Sequence, residues 1–348
     1  MPLTERIDAF QRRHPVASFP IGVIYKFGED QGPYLAALIT YYGFLSLFPL
    51  LLLLTSVLGF ALEGHPHLQQ RILDSTLSQF PVIGDQLAEP HGLRGSVGAI
   101  IVGGLVAVYG ALGVAQAIQH AMNVTWSVPR NHRPNPIRAR VRSLRLIALV
   151  GIAAVATTIV SSTGSFGTAV GAWGAVVAIV LSMLVNGAVF IVTFRIFRPD
   201  QVRRRDVVAG AVVAAVIWQL LQLFGGVFVG HVVKDSGATY GVFALVLGLL
   251  AWIFLAALGV VIGSEVNVVR TRQLYPRALL TPFTDNVDLT DADRRAYRDA
   301  VSSQQFKGFQ SVTVHYEDDG QHASARRALT RPPGKTVAKP PTGSRSDR

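Results

Sequence analysis

Gln116, Gln119, His120 and Asn123 fall at i, i+3, i+4 and i+7 inside a run, 95–129, that holds no Asp, Glu, Lys or Arg. That spacing places all four on one stripe of a helix. Four polar side chains facing lipid would be unfavourable, so the stripe should face protein. Amides and an imidazole in that position suit hydrogen bonding to a polar headgroup or ties between helices, the latter contributing about 0.6–2 kcal/mol per contact. Thr40, Tyr41, Tyr42 and Ser46 occupy a second charge-free run, 31–62; Asn186 lies in a third, and Gln219 and Gln222, three residues apart, in a fourth. Glu265 adjoins the end of a long apolar run, with Asn267 two residues on; Arg145 and Arg195 border the same zone and are its expected partners. Tyr41, Tyr42, Ser46, Gln116, Gln119, His120, Asn123, Gln219, Gln222 and Glu265 are thus the candidate substrate-binding set of a polar cavity. Arg138, Arg140, Arg142 and Arg145 would attract an anionic headgroup to its entrance.

Other chemistry has little support. His65-Pro66-His67 with Asp74, Asp85 and His91 matches no metal-ligand spacing. No phosphate-binding Gly-rich loop and no Gly-x-Ser-x-Gly elbow occur, and paired acids are absent from the apolar runs. The expectation is a protein without enzymatic activity, cofactor or metal.

The elements that must hold these residues follow from composition. Half of the 348 residues are hydrophobic and only 15% are charged, against about 25% charged in ordinary globular proteins; mean hydropathy is +0.39. Charge is missing from five windows: 31–62, 95–129, 146–194, 207–233 and 236–264. Crossing a hydrocarbon layer takes about 20 apolar residues. The third window is too long for one crossing and breaks at the Ser/Gly turn signal over 161–167. Six spans result: 34–62, 96–118, 144–164, 173–194, 207–229 and 241–264. Pro49 should kink the first by disrupting the hydrogen bond to the Leu45 carbonyl. Gly259 and Gly263, four apart, allow close helix approach in the last.

An even number of spans puts both termini on one side, and Lys and Arg decide which. The amino-terminal arm, the second and fourth connections and the tail hold 29 of the 32 basic residues; the other connections hold Arg71, Arg94 and Lys234. Both termini should therefore be cytoplasmic. The net charge of +11 then reflects topology and anionic lipid, with membrane lipids as partners and nucleic acid not expected. The chain has no cysteine, which excludes disulfides and thiolate sites. No cleavable signal peptide is visible, so the first span should act as an uncleaved signal anchor.

The fold class is all-α: a polytopic transmembrane bundle of six helices with an interfacial N-terminal helix and a disordered C-terminal tail. Residues 1–33 form a cytoplasmic arm, 34–265 the transmembrane domain and 266–348 a basic tail. Residues 16–29 carry Phe19, Ile21, Val23, Ile24, Tyr25 and Phe27 and read as a helix on the inner leaflet. In the outer connection 63–95, Leu68, Ile72, Leu73 and Leu77 recur at helical spacing. Thr290-Asp291-Ala292-Asp293 resembles a capping box opening a short polar helix. From about 318 onward too few apolar residues remain to offset chain entropy.

Two stretches resemble a known family. Ala36-Ala37-Leu38-Ile39-Thr40-Tyr41-Tyr42-Gly43-Phe44-Leu45-Ser46-Leu47-Phe48-Pro49, with Asp30 upstream, resembles the first-span signature of the YihY/BrkB membrane proteins. Tyr240-Gly241, Trp252 and Gly263-Ser264-Glu265-Val266-Asn267 resemble its closing span, with Ser where Ala is usual. The resemblance covers roughly 15–270. It implies a six-helix inner-membrane protein of bacterial type. Members have been labelled ribonuclease BN, which suits this fold poorly, and have been described as virulence factors and as lipid or amphiphile transporters. The leading expectation is a transporter or flippase of a lipid or amphiphile. A non-transporting membrane scaffold or envelope assembly factor is the alternative, and a membrane-bound nuclease ranks last.

Overall fold

The computed structural model describes residues 3–61, 97–164, 172–232, 241–284 and 287–316. Among them every regular element is helical: α1 (Leu3–Arg13), α2 (Pro15–Glu29), α3 (Gly32–Ala61), α4 (Val97–Thr125), a 3-10 turn (Arg130–His132), α5 (Pro136–Gly164), α6 (Ala172–Phe197), α7 (Val208–Val232), α8 (Gly241–Arg272) and α9 (Asp291–Ser302). The expected external helix around 68–77 and the tail beyond 316 lie outside the described residues. Within the described residues, Gly104–Thr125 of α4, Val208–Gly225 of α7 and Val246–Arg272 of α8 are long and apolar enough to cross a membrane.

α3 to α8 pack as a closed ring. Each touches the next in the chain, and α8 returns to α3; α8 also contacts α2 and α4. Gly or Ser lets the backbones approach where the ring is tightest. A Cβ on Gly110 of α4 would lie 2.4 Å from the Ser46 Cβ of α3, and one on Gly210 of α7 would lie 1.7 Å from the Gly263 carbonyl oxygen of α8. Among the described residues the buried core gathers around Ile39, Met122, Trp126, Phe194, Phe197, Val261 and Val269, at one end of the ring. The arm, connections 126–135 and 198–207, and the start of the tail all sit at that end.

Several helices outrun the spans expected from charge. α4 continues past 118 to Thr125, so the polar stripe is helical throughout. It ends with Ser127 at φ 47° and the Val128 amide donating to the Asn123 carbonyl at 2.9 Å, a left-handed C-terminal cap. α5 starts at Pro136, before 144, because Pro suits the first helical turn and the Asn135 side chain accepts from the Arg138 amide at 2.9 Å. α8 runs past 264 to Arg272. It closes in the same way as α4, with Gln273 at φ 53° and the Leu274 amide donating to the Val269 carbonyl at 3.0 Å. α3 runs through Pro49 without ending.

The start of the tail is built into the fold. The capping box opens α9 as expected, Thr290 accepting from the Asp293 amide at 3.1 Å. The arm and tail then meet around Arg277, which is fully buried. Its guanidinium donates to Asp293 at 2.5 Å and to Glu29, and lies over the rings of Tyr25 and Tyr297. Burial alone would lower its pKa, but Glu29 and Asp293 outweigh it and push the pKa up. Gln11 donates to the Arg277 carbonyl, Tyr25 to the Leu279 carbonyl at 2.5 Å, and the Leu279 amide to Asp8 at 3.1 Å. Buried ion pairs and hydrogen bonds hold the module together with buried Leu274, Ala278, Ala292 and Ala296. α2 lies along α8, with Gly22 against the Leu274 carbonyl and Val269, and leaves Val16 and Ile24 exposed.

Gly210→Ala should force α7 and α8 apart and cost about 1–3 kcal/mol, lowering the thermal unfolding temperature. Gly151→Ala, with nothing within 4 Å, should be neutral or slightly stabilising. Arg277→Met should leave Asp293 buried without its cation, at a cost of about 3–5 kcal/mol. Limited proteolysis should then cut the arm sooner than in the wild type.

Candidate functional site

Gly263-Ser264-Glu265-Val266-Asn267, near the end of α8, ties that helix to several others within about one and a half turns. Gly263 admits the Gly210 backbone of α7. Four residues later, about one turn on, Asn267 accepts from the Gly210 amide at 2.6 Å and donates to the Val207 carbonyl at 3.1 Å. The Gly210 amide belongs to the first turn of α7, where amides lack intrahelical acceptors, so Asn267 caps α7 from a neighbouring helix. Ser264 and Thr125 of α4 share a hydroxyl contact of 2.6 Å, and the Ser264 hydroxyl also reaches the Met122 sulfur at 3.2 Å.

Glu265 is fully buried and points to the α2–α3 corner. Its charged neighbours are Lys26, Asp30 and Glu29; Arg145, one of its expected partners, is exposed on α5. Lys26 is buried within α2, pairs with Asp30 and donates to the Thr125 carbonyl at 3.2 Å. Arg272 donates to the Trp126 carbonyl at 2.6 Å. The carbonyl end of α4, the negative pole of its dipole, is thus capped by two cations from other helices. Burial pushes the Asp30 carboxyl up, and Lys26 beside it pulls the other way.

Among the described residues the other candidates are spread over several helix contacts. Ser46 is buried, donates to the Gly43 carbonyl at 2.9 Å and packs on Gly110, while the Tyr42 ring lies against Gly113. Both therefore serve the α3–α4 contact. The α4 stripe divides: Gln119 and Asn123 are buried, Gln116 and His120 exposed. Neither amide atom of Gln119 finds a hydrogen-bond partner among the described residues, nor does Oε1 of half-buried Gln222. Gln219 is half-buried. Arg142 pairs with Asp200 at 2.6 Å; Arg138, Arg140 and Arg145 are exposed at the start of α5.

Tyr41 does line a depression. It stands 61% exposed, edge-on to Tyr42 with ring centroids 5.2 Å apart. With Ala37 and Thr40 of α3 and Leu250, Ala251 and Phe254 of α8, it bounds an open groove of about 410 Å³. The groove is apolar except for the Thr40 and Tyr41 side chains. The Thr40 hydroxyl is turned away to its own helix, donating to the Ala36 carbonyl at 2.8 Å.

Lys26 was not among the sequence candidates, nor was Arg277. Lys26 and Asp30 sit at i, i+4 where an apolar helix ends; that spacing is the signal that matches them to the acid of the last span. Arg277 has no comparable local pattern.

The Virulence factor BrkB family model matches residues 23–285. A UPF0761 membrane protein of Aromatoleum aromaticum is 23% identical over 178 residues, covering 49% of this chain and 43% of that protein. A UPF0761 membrane protein of Psychrobacter sp. is 28% identical over 283 residues, covering 77% and 52%. The chain spans about half the length of these curated relatives. No solved structure matches it. The matched segment begins in α2, ends beyond Arg277 and contains both the α3 motif and the α8 clamp: the chain belongs to the Virulence factor BrkB family of membrane proteins.

Proposed function

We propose that the chain crosses a bacterial inner membrane six times, with arm and tail in the cytoplasm, and translocates a lipid or amphiphile along its α3–α8 face. The observation that carries this reading is the open apolar groove between α3 and α8, with Tyr41 on its wall. A side-open apolar groove suits an acyl chain that stays in contact with lipid while its headgroup follows polar side chains. Gln119 and Gln222 supply buried amide atoms without partners among the described residues. A polar group buried unpaired costs about 1–3 kcal/mol by mutational measure, so these amides favour a polar guest. Exposed Arg138, Arg140 and Arg145 supply positive charge for an anionic headgroup. The 29-to-3 division of basic residues supports the orientation.

A scaffold without transport is the second reading. It is favoured by the arm–tail module and the exposed Phe283 and Phe309 on it. Replacing Phe283 and Phe309 with Ser separates the two, because this leaves the Arg277 ion pairs in place. A transporter should keep its activity; a scaffold that docks through these exposed rings should lose its function.

The absence of cysteine makes single-cysteine labelling direct. Gln201→Cys should react with an impermeant maleimide only after the inner face is exposed; labelling from outside intact cells would reverse the orientation. Proteoliposomes should move fluorescent lipid analogues between leaflets faster than empty vesicles. Ala251→Trp, filling the groove, should slow this by about tenfold, or roughly 1.4 kcal/mol of barrier, at equal protein incorporation. No acceleration with any bacterial lipid extract would remove the transport reading.

A further inference from the structure

Lys26, Asp30 and Glu265 present a charge imbalance that the hydrogen bonds around them leave unresolved. The side chains of Lys26 and Asp30 are 3% and 11% exposed, and Glu265 is fully buried. With both carboxyls ionised the trio would carry one uncompensated negative charge inside packed helices, which is strongly unfavourable. Lys26 donates to Asp30 and to the Thr125 carbonyl, and Ser264 is engaged with Thr125 and Met122. Neither Glu265 oxygen has a hydrogen-bond donor among the described residues. The Thr125 carbonyl and hydroxyl, which hold Lys26 and Ser264, bring Glu265 to the corner where Lys26 and Asp30 pair. An ionised carboxylate only accepts hydrogen bonds. Two carboxyls there can share a hydrogen bond only if one carries a proton.

Among the described residues no other cation compensates the trio; Arg272, which shares the α4 end with Lys26, is paired with Asp299. Glu29 of α2 faces the trio but adds to the negative side, and it is paired with Arg277. The sequences of α3, α4 and α7 hold no Asp, Glu, Lys or Arg, and the one histidine of α4, His120, is exposed. No group of three or more His, Cys, Asp or Glu suited to a metal ion occurs among the described residues.

We propose that Lys26, Asp30 and Glu265 form a binding site for one proton, carried on the Glu265 carboxyl and donated to the Asp30 carboxylate. In the loaded site Lys26 balances Asp30, Glu265 is neutral, and the Asp30–Glu265 hydrogen bond ties the α2–α3 corner to α8. On release the O–H bond of Glu265 breaks, its electron pair stays on the carboxylate, and the proton leaves past Asp30, which retains a little solvent contact. The empty site holds two facing carboxylates against one ammonium, and repulsion then acts across the α2–α8 contact. The site couples proton occupancy to that contact, and it stands whether or not the chain moves lipid.

Infrared difference spectroscopy on the full chain in phospholipid nanodiscs tests the assignment. At pH 7 the wild type should show a protonated-carboxyl C=O band that shifts in D₂O and is missing in E265Q. E265Q should keep the wild-type melting temperature, because its amide is neutral and still donates to Asp30. D30N should also lack the band, since Lys26 alone then balances an ionised Glu265. A wild type without a band that E265Q removes would overturn the proposal, as would a band that persists in D30N. Failure of E265Q to fold would overturn it too, because a neutral donor is what the site is held to require. Loss of the band on adding sodium or potassium at constant pH would identify a metal-cation site instead.

Discussion

The ends of helices govern this molecule more than their sides do. Every α-helix leaves several amides and carbonyls without partners, and inside a closely packed end of a bundle no water is at hand to take them. Here the partners come from other helices. Asn267 serves the amide end of α7, while Lys26 and Arg272 serve the carbonyl end of α4. These bonds can form only when α2, α4, α7 and α8 stand in one arrangement. Apolar packing among Leu, Val and Ala tolerates rotation and sliding; a carbonyl that needs a particular ammonium does not. The glycines at 210 and 263 are the steric counterpart, since the Asn267 bonds require the backbones of α7 and α8 to meet.

Much of the bundle was legible in the sequence because bilayer-compatible helices leave a coarse signal. Charge-free windows marked the rods, and α3, α6, α7 and α8 lie over the stretches they indicated. Helix ends were less legible. Charged residues do not mark them: the chain ends α4 and α8 by left-handed turns at Ser127 and Gln273, residues that a composition rule passes over. α5 begins in arginine-rich sequence because its first turns need a Pro and an Asn cap, both indifferent to hydropathy.

The candidate site divided for a similar reason. Helical spacing grouped the stripe on α4, but it does not reveal which neighbour each residue meets. The buried part, Gln119 and Asn123, and the exposed part, Gln116 and His120, lie on the two edges of that stripe. Tyr42 and Ser46 proved to be contact surfaces for Gly113 and Gly110; from sequence a hydroxyl at a tight crossing is indistinguishable from one in a cavity. Glu265 stood out as a lone acid, yet its partners lie more than 230 residues earlier, a separation that no local pattern spans. The arm–tail module was the least legible. Its folding depends on Arg277 meeting Glu29 and Asp293, charges whose surroundings in the chain look like ordinary solvated sequence.

The cationic caps on α4 have a mechanical consequence. Swinging the carbonyl end of α4 would pull the Thr125 and Trp126 carbonyls off Lys26 and Arg272 together, and would part the Thr125–Ser264 hydroxyl pair as well. Bonds to charged groups each contribute about 1.5–3 kcal/mol, so such a swing is opposed by several at once. The ring therefore resists deformation at its charged pole, and any movement of α4 should pivot there.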